Sequence, residues 1–224
     1  MIRGDSPQAL PRTAPRAGRP WLALALALAA GTLGALGLRA LFLPAHPEPT
    51  TPGVLWPNPR ALQPFRLTDD RGRPFTRADL QGYWTILAYG YASCPDVCPM
   101  TLAELARLRR LLGDRDRAGR PLRYAFLTLD PARDSAERLG AYVRYFDPTF
   151  LGLRAADPEL LALTTQLGVF FRREPPAADG SYAVQHSATI AIIGPRARLL
   201  ASLPMPHDAQ RIATVFERLA SEVD

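Results

Sequence analysis

The chain contains two cysteines, Cys94 and Cys98, in the stretch Tyr89-Gly90-Tyr91-Ala92-Ser93-Cys94-Pro95-Asp96-Val97-Cys98-Pro99-Met100. Sulfurs at i and i+4 lie near one face of a helical turn. Their Cα atoms are then about 6 Å apart, inside the span a disulfide tolerates. The pair can therefore cycle between dithiol and disulfide. It can equally chelate one soft metal ion, and thiolate ligands select copper(I) or zinc. A closed structural zinc site takes four ligands, so two sulfurs do not make one. As a staple the pair has little effect, because loop-closure entropy grows with loop length and this loop is tiny. The best candidate for a third ligand is His186, in Val184-Gln185-His186-Ser187-Ala188, just before an apolar run. Spacing alone leaves His186 open between a metal ligand and a hydrogen-bonded histidine at a strand start. His207 reads as a surface residue, Met100 and Met205 as packing, and His46 as a solvated side chain.

A strand-to-helix turn positions the cysteines. Tyr83 to Tyr91 reads as a buried central strand. After it, leucines at 102, 105, 108, 111 and 112 recur at helical spacing from Thr101 to Leu112. Gly113 stops that helix. Pro99 has no N–H and suits the first helical position, which puts Cys98 at or near the N-cap and Cys94 in the loop before it. Unpaired N–H groups and the helix dipole favour negative charge there, so both thiols are expected to be acidic.

Around this turn the pattern alternates strands and helices. Phe65 to Thr68 and Arg73 to Thr76 flank Asp69-Asp70-Arg71-Gly72, an N-terminal hairpin signal. Leu122 to Leu129 reads as a second buried strand ending at Asp130-Pro131. Helices are expected over Ser135 to Phe146 and Pro158 to Leu167, and short strands at Val169 to Arg172 and Tyr182 to Val184. Ala188 to Ile193 and Leu199 to Leu203 form a hairpin, and Asp208 caps a last helix, Ala209 to Leu219. The order is that of an α/β, thioredoxin-like fold with an N-terminal hairpin and a hairpin inserted in the C-terminal half. In such sheets the active loop leaves the carboxyl end of a strand.

The 27 basic residues, all Arg, exceed the 21 acidic ones, for a net charge of +6. Five of those arginines and one aspartate precede Pro44, so that region contributes +4 and the rest only +2. The basic balance is thus largely a property of the N-terminal region, with no basic stripe elsewhere to suggest nucleic acid. Residues 1–20, rich in Pro, Arg and Ala, read as a disordered cytoplasmic tail. Trp21 to Leu38 carries no charge, and at about 1.5 Å per residue it spans roughly 27 Å, close to a bilayer's hydrocarbon core. Residues 21–43 are therefore expected to be a transmembrane anchor, with the four preceding arginines on the cytoplasmic side. A cleaved signal peptide is the rival reading; its apolar core would be shorter, and no clean cleavage site follows. Residues 44–63 read as a semi-rigid spacer, with six prolines from Pro44 to Pro59 and Pro64 just beyond. The domain proper is then 64–224.

The residues also carry a resemblance. Tyr89-Gly90-Tyr91 with Cys94-Pro95-Asp96-Val97-Cys98-Pro99 resembles the signature of the Sco/SenC copper-chaperone family. Leu129-Asp130-Pro131-Ala132-Arg133-Asp134 resembles its Asp-Pro-x-Arg-Asp segment. Tyr145-Phe146-Asp147-Pro148 with Phe150-Leu151-Gly152-Leu153, and His186-Ser187 before an apolar strand and Gly194-Pro195, resemble its later blocks. The resemblance covers about Phe65 to Leu219. It implies a copper site of Cys94, Cys98 and His186. It also implies an inner-membrane anchor with the domain on the periplasmic side. The implied role is service to the copper centre of cytochrome c oxidase, with the oxidase's copper-bearing subunit and other copper chaperones as partners. Gln185 stands where many members have Asp, and Ala92-Ser93 replaces a more usual Thr-His. Both change the surroundings that tune a metal's affinity and potential, and neither removes a ligand. Asp130 matches a family acidic residue near the site, its role open between partner docking, support of the metal's ligands and plain loop capping. The residues leave open a thiol–disulfide reductase using the same two sulfurs; a peroxidase finds no peroxide site.

Overall fold

The computed structural model describes residues 54–222, together with Gly31. The expected tail, most of the 21–43 anchor and the spacer with His46 up to residue 53 lie outside the described residues. Among the described residues no helix is long and apolar enough to cross a membrane.

In chain order the elements are β1 (Val54–Ala61), β2 (Arg66–Asp69), β3 (Pro74–Thr76), a 3-10 turn (Arg77–Leu80), β4 (Trp84–Gly90), α1 (Val97–Leu112), β5 (Leu122–Thr128), α2 (Ala136–Phe146), β6 (Leu151–Arg154) and α3 (Asp157–Leu167). Then come β7 (Phe171–Arg173), β8 (Val184–His186), β9 (Thr189–Gly194), β10 (Arg198–Pro204) and α4 (Ala209–Glu222). Eight strands form one sheet in the order β1-β10-β9-β4-β5-β6-β2-β3, while β7 and β8 pair in a sheet of their own.

The centre of the sheet is parallel. β4 runs beside β5 from Trp84 opposite Leu122 to Gly90 opposite Thr128, and β5 beside β6. Every residue of β4 is buried, as its mostly apolar run, interrupted by Thr85, requires of a strand covered on both faces. β9 returns antiparallel on the other side of β4, with Ala88 opposite Ile190. These registers have one consequence for chemistry. The turns after Gly90 and after Thr128 leave the same sheet edge, tied by the Leu129 N–H to the Gly90 carbonyl at 2.7 Å. The chain leading into β9, with His186 three residues before Thr189, enters at that edge as well.

α1 buries Cys98, Thr101, Leu102, Leu105, Ala106 and Leu108 and ends at Gly113, whose positive φ of 74° glycine tolerates without a Cβ penalty. Leu111, counted in the apolar stripe, is instead exposed. Ser135 caps α2 through the Arg138 N–H at 3.2 Å, and Asp208 caps α4 through the Arg211 N–H at 2.8 Å.

Two expectations need correction. The second half of the expected spacer is strand β1, paired with β10 at the sheet edge. Its prolines suggested a linker, but the ladder skips from Leu55 to Arg60, so Pro57 and Pro59 fall in the irregular stretch. Proline is tolerated at such edges and bulges, where no ladder N–H is needed. The two short strands expected at Val169 to Arg172 and Tyr182 to Val184 are also displaced: β7 starts two residues after Val169, and β8 ends on His186 itself. β6 was legible only as part of a resembling segment, because four residues carry too little periodicity to mark a strand.

Leu102 is fully buried under the sheet one turn beyond the cysteines. Leu102→Ala should destabilise the domain by about 2–5 kcal/mol through lost transfer energy and the cavity left behind. Urea unfolding of the variant against the wild type measures it.

Candidate metal centre

The helix carrying the cysteines starts earlier than its leucine pattern suggests. Its N-cap is Asp96, which makes no side-chain cap, so Cys98 is its second residue and Pro99 its third. Pro99 still falls in the first turn, where no N–H has an intrahelical partner, so the proline costs no hydrogen bond. Cys94 lies in the preceding turn, its N–H on the Tyr91 carbonyl at 3.1 Å. Cys98 is buried and Cys94 partly exposed, both as free thiols. A Cβ built on Gly90 would collide with Cys98 Sγ and crowd the Phe126 ring. Glycine at 90 therefore leaves the room in which the sulfur sits.

The two thiols have opposite acidities. Cys98 donates its S–H to Cys94, and that bond is the largest effect drawing the Cys94 thiol down to about 5. The N–H groups of Asp96 and Cys98 and the nearby His186 act the same way, against the opposing effect of burial. The same bond, then burial, pushes Cys98 far up. At neutral pH one proton is shared by the pair, with the charge on the accessible sulfur. The expectation of an acidic thiol holds for Cys94 and fails for Cys98, because burial at that position outweighs the helix end.

His186 reaches the pair from the end of β8. Its Nδ1 is 3.0 Å from the Ser187 carbonyl. A carbonyl only accepts, so Nδ1 carries the hydrogen, and in the neutral imidazole Nε2 presents a lone pair. Nε2 stands 3.9 Å from Cys98 Sγ. Sulfur and nitrogen ligands about 2.3 and 2.0 Å from one ion are themselves roughly 3.5–4 Å apart. The fold thus brings His186 to the cysteines, although among the described residues no three His, Cys, Asp or Glu side chains are already drawn to ligating distance.

The surrounding groups fix this arrangement. Asp134, buried, accepts from the Ala92 N–H at 2.9 Å and the Thr128 hydroxyl at 2.5 Å, pinning the cysteine turn to the end of β5. Asp130, also buried, has its carboxylate turned to Arg133 and to the Tyr182 hydroxyl, the latter at 2.9 Å. Its backbone carbonyl accepts from the Asp134 N–H at 3.0 Å, a loop-capping role. The Tyr91 phenol accepts from the Val184 N–H and bonds Cys94. Ser93 accepts from Arg138 at 2.8 Å. Gln185 is exposed, beside Arg172 at 3.2 Å, as the alternation of β8 requires when the adjacent His186 faces the site. His207 is half-buried rather than on the surface, its Nδ1 accepting from the Thr101 hydroxyl at 3.0 Å and its Nε2 donating to the Leu203 carbonyl at 3.3 Å. Met100 and Met205, read as packing, are exposed, because the first turn of α1 and the end of β10 open toward solvent.

Gly90, Tyr91, Asp134 and Tyr182 were not singled out from the sequence. Gly90, Tyr91 and Asp134 had a signal only as members of the resembling segments, and Tyr182 only as the start of a short strand.

The split acidity has a direct readout. Iodoacetamide should label Cys94 in preference to Cys98, at a rate nearly flat from pH 6.5 to 8.5 and falling only toward pH 5. An ordinary thiol gains about tenfold per pH unit below its pKa of about 8.5. Labelling that climbs steeply through pH 8 at Cys94 contradicts the shared-proton arrangement.

The family model described as SCO1/SenC matches residues 57–221. A Stutzerimonas stutzeri protein that carries copper binding in its name is 36% identical over 156 residues, 68% of this chain and 74% of that one. The human mitochondrial protein SCO2 homolog is 34% identical over 131 residues, 58% of this chain. The chain spans about half the length of that protein, 49%. The crystal structure of yeast Sco1 with copper bound superimposes with a TM-score of 0.67 at 29% identity, over 74% of this chain and 91% of that one. With the family model covering nearly all of the described residues, the chain belongs to the SCO1/SenC family.

Proposed function

We propose that this chain binds copper through Cys94, Cys98 and His186 and delivers it to the copper-bearing subunit of cytochrome c oxidase, receiving it from another copper chaperone. The observation that carries the reading is the lone pair of His186 Nε2 facing Cys98, with the Cys94 thiolate beside it. Two thiolates suit copper(I), and added imidazole nitrogen makes copper(II) acceptable. Binding requires the proton shared by the two sulfurs to leave, so uptake is coupled to its release.

A thiol–disulfide reductase is the second reading, favoured by the same asymmetry. The Cys94 thiolate would attack one sulfur of a client disulfide and release a client thiolate. Cys98 would then attack the Cys94 sulfur and release the second client sulfur. The client gains two electrons and the Cys94–Cys98 disulfide holds the oxidation.

His186→Ala separates the two. Imidazole ligates metal but takes no part in joining the sulfurs. Copper(II) binding should fall by tenfold or more, copper(I) binding persist on two sulfurs, dithiol exchange continue and oxidase assembly fail in cells. Retained oxidase assembly with lost copper(II) binding rejects delivery through three ligands and favours the reductase. Cys94→Ser and Cys98→Ser should each abolish tight copper binding and disulfide formation while the fold survives.

On the same reading residues 1–20 form a cytoplasmic tail and residues 21–43 a single membrane anchor, with the copper domain on the periplasmic side of the inner membrane. Reporters fused after Asp224 should be active only if they require export. A fully cytoplasmic signal, or a mature chain starting near Pro44, rejects the anchor.

A further inference from the structure

His186 is carried by a short hairpin that stands outside the main sheet. β7 and β8 have three residues each and share no ladder with the eight-stranded sheet. A two-stranded hairpin is marginally stable on its own. The loop that joins these strands is exposed from Pro175 to Ser181. Something other than main-chain pairing must therefore fix where His186 stands.

Val184 is buried in the core, with its N–H on the Tyr91 phenol, and a second set of side chains ties the hairpin to the turn after β5. Tyr182, four residues before His186, donates its hydroxyl to Asp130 Oδ1 at 2.9 Å. The Arg133 guanidinium lies 3.5 Å over the Tyr182 ring while pairing with the other oxygen of Asp130. From β7, Arg173 donates Nε and Nη2 to the Leu129 carbonyl at 3.1 and 2.9 Å. The same guanidinium forks onto both oxygens of Asp157 at 2.9 and 2.8 Å. β7 and the segment leading into β8 are thus both held by the turn that follows β5, and the Leu129 N–H of that turn is bonded to Gly90 at the root of the cysteine turn. A planar guanidinium with two anchored edges fixes direction as well as distance.

We infer that Tyr182 and Arg173 are positioning residues for His186: a side-chain clamp on the 129–133 turn holds the hairpin so that the imidazole faces the cysteines. The inference rests on the metal-site reading above and deepens it. The clamp sets copper(II) affinity, which needs the imidazole, without setting copper(I) affinity, which the two sulfurs sustain.

Tyr182→Phe removes one hydroxyl, and Arg173→Lys keeps the charge but cannot span Leu129 and Asp157 together. Each is compared with the full-length wild type in detergent. In the metal-free protein, amide hydrogen exchange at 171–173 and 184–186 should quicken at least fivefold, with β4 and β5 unchanged. With cupric ion as probe, the dissociation constant should rise about tenfold, the worth of one buried hydrogen bond. With cuprous ion against a competing chelator, it should stay within about twofold. Unchanged hairpin exchange in both variants overturns the clamp. So does a freed hairpin with unaltered copper(II) affinity, or an equal loss of both oxidation states. A wild-type chain that holds neither ion overturns the metal reading instead. The exchange comparison then decides the clamp alone, faster hairpin exchange supporting it and equal exchange rejecting it.

Discussion

The structure depends on the register of three neighbouring strands. Gly90 ends β4 opposite Thr128, the last residue of β5, and β9 runs the other way on the far side of β4. Two chains leave one sheet edge and a third enters there. A one-residue slip of β4 would turn its buried faces over and carry the cysteine turn away from the turn after β5. The cost of such a slip is high because every β4 side chain is buried, Trp84 and Ile86 completely. Core packing in the middle of the sheet therefore fixes, at a distance, where sulfur and imidazole meet.

Within that frame the local chemistry comes from unequal burial. The two cysteines differ by four positions, yet one is nearly sealed against Gly90 and Phe126 and the other opens to solvent. In low-dielectric surroundings a lone thiolate is costly, and a thiol donating to a thiolate is not. The proton therefore rests on the buried sulfur. Asp134 reinforces this, since its carboxylate disfavours a second negative charge on Cys98. Its main structural effect is to hold the Ala92 N–H and so the whole turn.

What could be read from the sequence follows the length scale of the interactions. The strand–cysteine–helix unit was legible because its parts are local: an apolar run, leucines at helical spacing and a stop glycine. His186 was legible as a candidate by type and by the strand after it, but its approach to Cys98 depends on pairing between residues about a hundred positions apart, which no local pattern records. β1 was hidden by Pro57 and Pro59, which argue against a strand everywhere except at an irregular edge. Cys98's acidity was misjudged because helix-end electrostatics are readable from position, whereas burial is a property of the packed molecule. The positioning roles of Tyr182 and Arg173 gave no signal: their partners, Asp130 and the Leu129 carbonyl, are more than forty residues away.

The same shared proton bears differently on the two chemistries proposed for the pair. A metal ion between the sulfurs takes the place of that proton and needs both sulfurs ionised, so it is favoured by whatever removes the charge cost at Cys98. Imidazole brought to 3.9 Å of that sulfur supplies a third donor without adding charge. Disulfide exchange instead needs Cys98 protonated while Cys94 attacks, and ionised only at the resolving step. A structure that keeps His186 close to the buried sulfur thus shifts the pair toward metal binding. One that lets the hairpin swing away leaves a nucleophile with a protonated resolving partner. The placement of the β7–β8 hairpin is therefore the variable on which the choice between the two chemistries turns. The sheet register brings that hairpin to the site, and side chains on the turn after β5 set where it finally stands.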